Sequence, residues 1–385
     1  MKYKETGMGM FVSFATIAVA VVGVEGLLRI VDYPKWDTEI TAGWRSHVEN
    51  EALNEFGFRG QPIQYADKDF VIVLLGDSQV EAAACPPQST PERLLEHYLS
   101  ASGAFKVFTI GTAGYGNDQE YLALQEYLAR HRADMVLLWQ TFSNDVWNNV
   151  FPTHMPKDGA IKPTYVLKED KLEGPNYQLG EVVRKPARTK IGVFLNRIFN
   201  PQKGLDEYWE RFLPPPYAPL VNYSGPVAPD WDPADPDNRN PFLENENLKT
   251  EKSHFAISLY PASKRTAYGL ALTRKLLGNI ESLSKSRGAA FFVLNVTTPV
   301  AEGVTAQPAV VTHRRDRSFY QTSFQQQRAN QATVYDGFPS FSVNVTMANW
   351  RVSETDAHLN CMANDEAMQS LARNVTAFLK KDAAP

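Results

Sequence analysis

An excess of positive charge is missing from this chain of 385 residues, cysteine and long apolar runs are scarce, and each lack closes off a class of explanation. Lys and Arg number 39 against 43 Asp and Glu, a net charge of −4, so there is no basic footprint for a nucleic-acid backbone and nucleic acid is not an expected partner. The two cysteines, Cys85 and Cys361, are too few for a disulfide scaffold. They suffice for one bridge in an exported protein, or for two buried thiols. No internal repeat is evident, and 43% hydrophobic with 21% charged residues sets aside disordered and collagenous chains. Only one segment has the length and apolarity of a membrane helix, which excludes a polytopic membrane protein. What remains is a globular protein of one elaborated domain or two to three smaller ones.

That segment, residues 7–24 (GMGMFVSFATIAVAVVGV), is preceded by Lys2 and Lys4 and closed by Glu25 and Arg29. Its eighteen uncharged residues are about the shortest helix that spans ~30 Å of hydrocarbon, and the two lysines would keep the amino terminus in the cytoplasm. Residues 1–30 are therefore expected to form an N-terminal transmembrane anchor, with the rest of the chain exported, periplasmic if the membrane is an inner one. A cleaved signal segment is the rival, because Ala18-Val19-Ala20 fits a small-x-small cleavage site, and would leave the protein secreted. A buried soluble helix is the third reading.

Past a lead-in at 31–69, residues 70–75 (FVIVLL) are an unbroken apolar run ended by Gly76, the pattern of a strand buried on both faces of a parallel sheet. Ser89-Thr90-Pro91-Glu92 then reads as a helix start. A second strand at 105–110, a glycine-rich GTAGYG at 111–116, a helix over 117–131 and a third strand at 135–140 complete a βαβαβ alternation. From 151 to 262 the pattern dissolves; ten prolines fall between Pro201 and Pro241, so regular structure is not expected there and the stretch reads as an insertion. Asp230, Asp232, Asp235 and Asp237 lie in it, but Pro233 and Pro236 break the spacing of a calcium loop, and a solvated acidic loop is expected. Regular structure resumes with a helix over 262–286, strands at 289–295 and 333–335, and a last helix over 364–381. Residues 70–385 thus make one α/β domain interrupted by the insertion.

In such a sheet, ligands collect beyond the carboxyl ends of the strands. Gly76-Asp77-Ser78-Gln79 puts a serine on a strand-to-helix turn, a placement that suits a nucleophile but also an ordinary turn. The glycines of 111–116 are in the wrong order for a dinucleotide loop, yet Gly114 can bring a backbone N–H to a ligand oxygen. Thr141-Phe142-Ser143-Asn144-Asp145 places an amide at the same edge, a suitable donor to an oxyanion. Asp356-Ala357-His358-Leu359-Asn360 offers a base with an acid to orient it. His97, His131, His254 and His313 have neighbours typical of surfaces and read as structural.

These four blocks, in this order and spacing, resemble those of the SGNH (GDSL-type) hydrolase family over roughly residues 54–381. The resemblance implies a three-layer α/β/α flavodoxin-like fold, no metal or organic cofactor, and ester chemistry through an acyl-enzyme. Carried over, Ser78 would be the nucleophile, His358 the general base and Asp356 its orienter. The backbone N–H groups of Ser78 and Gly114 and the Asn144 amide would form the oxyanion hole. Two departures stand out. Phe142 occupies a position where the family often has glycine, narrowing the room beside the oxyanion hole, and Thr355 stands where the acid is often found, with Glu354 a poorer substitute for Asp356. Asn54-Glu-Phe-Gly57-Phe58-Arg59-Gly60 resembles the lead-in of membrane-anchored bacterial members, or is a turn packing on the first strand. The family fold would bring Cys85 and Cys361 near one sheet edge, so a disulfide between them is an expectation.

The implied activity is a serine esterase acting on an acyl, most plausibly O-acetyl, ester of a carbohydrate or cell-envelope polymer. An O-acyltransferase with the same triad is one alternative, and lipid esters are a further substrate class. A non-catalytic envelope protein that binds glycan or a partner is the alternative from a different class.

Overall fold

The apolar runs bounded by glycine become the centre of the molecule. A computed structural model describes residues 2–31, 52–153, 162–175, 189–199, 205–227, 248–299, 308–312, 318–354 and 356–382. In chain order, α1 (Lys2–Ile30) is followed by β1 (Phe70–Gly76), α2 (Ser78–Glu81), α3 (Pro91–Ser100), β2 (Phe105–Gly111), α4 (Asn117–Leu128), β3 (Met135–Trp139) and α5 (Phe142–Val150). Beyond these come a small hairpin, β4 (Val166–Lys168) and β5 (Lys171–Glu173), then α6 (Lys190–Phe199), α7 (Leu205–Trp209) and α8 (Lys264–Ser286). The chain closes through β6 (Ala290–Thr297), the hairpin β7 (Ala309–Thr312) and β8 (Phe319–Thr322), α9 (Phe324–Tyr335), β9 (Ser340–Asn344), the ribbon β10 (Arg351–Ser353) and β11 (Asp356–Leu359), and α10 (Cys361–Asp382).

Five of these strands form one parallel sheet in the order β2-β1-β3-β6-β9. Successive side chains on a strand point to opposite faces, so each buried strand feeds two cores. Val71, Val73, Leu75, Val136 and Leu138 meet Leu124, Leu277 and Ile280 of α4 and α8 on one face. Ile72, Leu74, Met135 and Leu137 meet Leu95 and Leu99 of α3 and Met368, Leu371 and Val375 of α10 on the other. Helices on both faces of a parallel sheet make the three-layer α/β/α architecture expected from the alternation.

The expected strand at 333–335 is overturned. Those residues end α9, and the fifth strand is Ser340–Asn344. Thr333-Val334-Tyr335 has strand-like residue types, but Ser323 caps the helix through its side chain on Gln326 N, and Val334 packs as a helical core residue. The insertion also holds more regular structure than its prolines suggest. Helix α7 fits between Pro201 and the triple proline at 214–216, with Trp209 donating its indole N–H to the Val150 carbonyl at 2.9 Å. The aspartates at 230–237, residues 32–51 of the lead-in, His313 and Thr355 lie outside the described residues.

The N-terminal segment is helical, with Glu25 accepting the backbone N–H groups of Lys190 and Ile191 at the start of α6. Among the described residues, however, no helix is long and apolar enough to cross a membrane, so the expected span is not reproduced. Ile17, Val19 and Val22 of α1 are exposed.

Candidate active site

Register brings the loops together before any side chain is considered. Gly76 at the end of β1 is level with Gly111 of β2 and Trp139 of β3, so the three following loops leave one sheet edge side by side. The approach is close enough that a Cβ on Gly111 would be driven into the Gly76 carbonyl oxygen, which only glycine avoids.

Ser78 opens the four-residue helix α2, and Asp77 caps it by accepting Gln79 N–H at 3.0 Å. Asp77 is fully buried and also accepts the Thr141 hydroxyl at 2.9 Å and the Asn144 amide at 3.0 Å. Burial raises its carboxyl above the usual range, against the pull of Gln79 N–H, Asn144 and Thr141. A carboxylate only accepts, so its contact fixes Asn144 Nδ2 toward Asp77 and leaves one amide hydrogen for another acceptor. Gly114 takes a left-handed turn, φ 76°, after β2. Its loop is held by the buried Glu81, which accepts the Thr112 hydroxyl at 2.9 Å and Ala113 N–H at 2.8 Å.

Helix α2 ends on Ala82 in a left-handed conformation, φ 46°, which costs an alanine strain. Arg59 lies beneath it. Its buried guanidinium donates to the carbonyls of Glu81 at 3.0 Å, Ala82 at 2.6 Å and Cys85 at 2.6 Å, satisfying the end of the short helix. The lead-in is fastened by Asn54, whose Nδ2 donates to the Thr109 carbonyl while Oδ1 accepts Phe56 and Phe58 N–H. This segment is therefore a support of the serine loop as well as a turn.

From the other end of the chain, β11 brings His358 to Ser78. His358 Nε2 lies 2.7 Å from Ser78 Oγ, and His358 Nδ1 contacts Asp356 Oδ1, which also accepts His358 N–H at 3.0 Å. Because the carboxylate accepts from Nδ1, that nitrogen carries the proton and Nε2 presents its lone pair to the serine hydroxyl. Burial works to raise the Asp356 carboxyl, but the backbone N–H and ring of His358 win and hold it below the usual range. The structure thus joins Ser78, His358 and Asp356 directly, and joins Asn144 to them through Asp77. Thr355 lies outside the described residues, and the His358 ring is on Asp356. The Phe142 ring is buried in the core, edge-on to Tyr335 of α9.

Besides the expected disulfide, several supporting contacts are visible only in the fold. Asn360 accepts Ala363 N–H at 2.9 Å, capping α10, and donates to the carbonyls of Asn349 and Arg351, pinning the ribbon. Cys85 and Cys361 are joined in a disulfide, with Cα atoms 5.4 Å apart. His254, read as structural, packs its ring 5.3 Å from that of Trp147 of α5, tilted by 36°. Burial, and then the charge of His358, lower its pKa to about 4. Only the folded insertion could have revealed that neighbour.

No protein-family model matches the chain, and no curated protein matches it. Among solved structures, it is similar to the psychrotrophic esterase EstA of a Pseudoalteromonas species, crystallised inhibited by monoethylphosphonate, at 8% identity and a TM-score of 0.35, covering 80% of this chain and 98% of that one. It is also similar to a putative arylesterase of Agrobacterium tumefaciens at 12% identity and a TM-score of 0.35, covering 80% of this chain and 99% of that one.

Proposed function

We propose that the protein is a serine esterase of the SGNH type that cleaves an acyl ester through an acyl-enzyme. The observation that carries this is the Ser78–His358–Asp356 chain, with the hydroxyl 2.7 Å from a ring nitrogen whose partner nitrogen is held by a carboxylate. His358 Nε2 takes the proton as Ser78 Oγ attacks the ester carbonyl, and Asp356 stabilises the imidazolium that results. The oxyanion forms against Ser78 N–H, Gly114 N–H and the Asn144 amide hydrogen that Asp77 leaves unused. His358 then protonates the leaving alcohol. In the second half, the same ring activates water, or an acceptor hydroxyl if the reaction is transfer.

The substrate we infer is an O-acyl, most simply O-acetyl, ester of a carbohydrate or cell-envelope polymer. Placement outside the cytoplasm, tethered through α1, is supported by the disulfide and by the exposed apolar side chains of that helix. The test is to treat the full chain with a fluorophosphonate and to follow acetate release from O-acetylated oligosaccharides. Adduct at Ser78 and turnover abolished by Ser78→Ala are expected. Glycan binding by a folded protein without adduct or turnover would instead establish the non-catalytic reading.

A further inference from the structure

Ser78 and His358 meet from supports of unequal rigidity. Ser78 follows a strand whose residues 71–76 are all buried. His358 rides on β10–β11, a two-stranded ribbon outside the five-stranded sheet, with all three β10 residues exposed. A two-stranded ribbon alone is marginally stable in water. Buried Leu359 and the Asn360 cap fasten it to α10 and its own neighbours.

Two crosslinks fasten it to the serine loop. Gln79, next to Ser78, accepts the backbone N–H of Leu359, next to His358, at 3.3 Å. The Cys85–Cys361 disulfide joins the same two segments seven residues after the serine and three after the histidine, and Asn364 of α10 donates to Cys85 Sγ at 3.6 Å. Neither crosslink touches a reacting atom.

We propose that Gln79 and the Cys85–Cys361 disulfide are positioning elements that hold His358 over Ser78, so that reducing the bridge reversibly silences the serine. The proposal rests on the esterase reading of this site. Cys85 is buried and Cys361 half-buried, so a dithiol thiolate attacks Cys361 Sγ and releases Cys85. The second thiol then attacks the mixed disulfide and releases Cys361. The dithiol leaves as its cyclic disulfide, and two electrons and two protons pass to the cysteines.

The experiment is the rate of fluorophosphonate labelling at Ser78 against pH. The full chain is compared oxidised, reduced with dithiothreitol and reoxidised, beside Gln79→Ala and the double variant Cys85→Ser/Cys361→Ser. Circular dichroism identifies the forms that remain folded. A displacement of about 1 Å can cost on the order of 10²-fold, so labelling should slow about 10- to 100-fold on reduction, recover on reoxidation and slow about tenfold in Gln79→Ala. The double variant should be slow with or without dithiol, and the part of the pH profile due to His358 should flatten in the slow forms. Reduced, folded protein that labels at the oxidised rate with the same profile would overturn the role of the bridge. If reduction unfolds the chain, an unchanged rate and profile in Gln79→Ala overturns the role of the side-chain tether. Failure of oxidised, folded wild type to label is a different result, and defeats the esterase reading itself.

Discussion

The sheet edge and the ribbon solve the same problem in opposite ways. At the edge, Asp77, Glu81 and Asn144 are buried and hold the loops that follow β1, β2 and β3 through side-chain hydrogen bonds. On the ribbon, Ala357 and His358 are exposed, and order comes from a few local bonds and crosslinks. Burial gives rigidity at an electrostatic cost: it pushes Asp77, Asp118, Glu120 and Asp145 above the usual carboxylate range, Asp145 being raised further by Glu120. Lys162 offsets part of this through a fully buried ion pair with Asp118. On the ribbon the same effect of burial on Asp356 is outweighed by the backbone N–H and ring of His358, which hold its carboxyl below the usual range.

The largest effect expected is at the nucleophile, where Ser78→Ala should lower kcat by on the order of 10⁶-fold, measured on an activated acetate ester. Next is the ribbon's acid. Asp356→Ala should cost about 10⁴-fold, whereas Glu354→Gln should stay near wild type; the reverse order would move the acid to Glu354. The buried side is broken differently, through stability. Lys162→Met leaves Asp118 buried and unpaired and should cost about 3–5 kcal/mol in urea unfolding, against about 0.5 kcal/mol or less for Arg351→Ala on the exposed strand. Asn144→Ala removes the proposed oxyanion donor and should lower kcat by about 10²- to 10³-fold with KM little changed. The last effect, at His254, leaves activity aside and is confined to acid pH. Its folded pKa is about 4, against 6.5 for an ordinary histidine, so its contribution to stability is full above 6.5 and is lost as pH falls toward 4. His254→Asn should flatten the dependence of Tm on pH across that window.

The same division explains what could be read in advance. β1 and β3 are buried on both faces, so each is a continuous apolar run that announces itself, and the residues just beyond them were legible as candidate chemistry. β9 is at the sheet edge and half exposed; Ser340-Phe-Ser-Val-Asn344 carries no such run and was missed in favour of a helix end rich in β-branched and aromatic residues. Arg59, Glu81 and Gln79 were illegible for another reason. Each makes hydrogen bonds to backbone groups, which leave no residue type at the other end to recognise, Glu81 adding only the Thr112 hydroxyl. Asn360 was quoted as part of a pattern, but its double duty as cap and pin needed the fold.

Ser78 and His358 are separated by 280 positions, with the bridge between the same two stretches. During synthesis from the amino end, Ser78, its turn and the loops after β2 and β3 all emerge while His358, the proposed base, has yet to be made. The half-built chain therefore carries an unactivated alcohol, and so does any product cut short before residue 358. On the proposed reading the site is complete only once the chain has been made through His358 and the ribbon that carries it can pair.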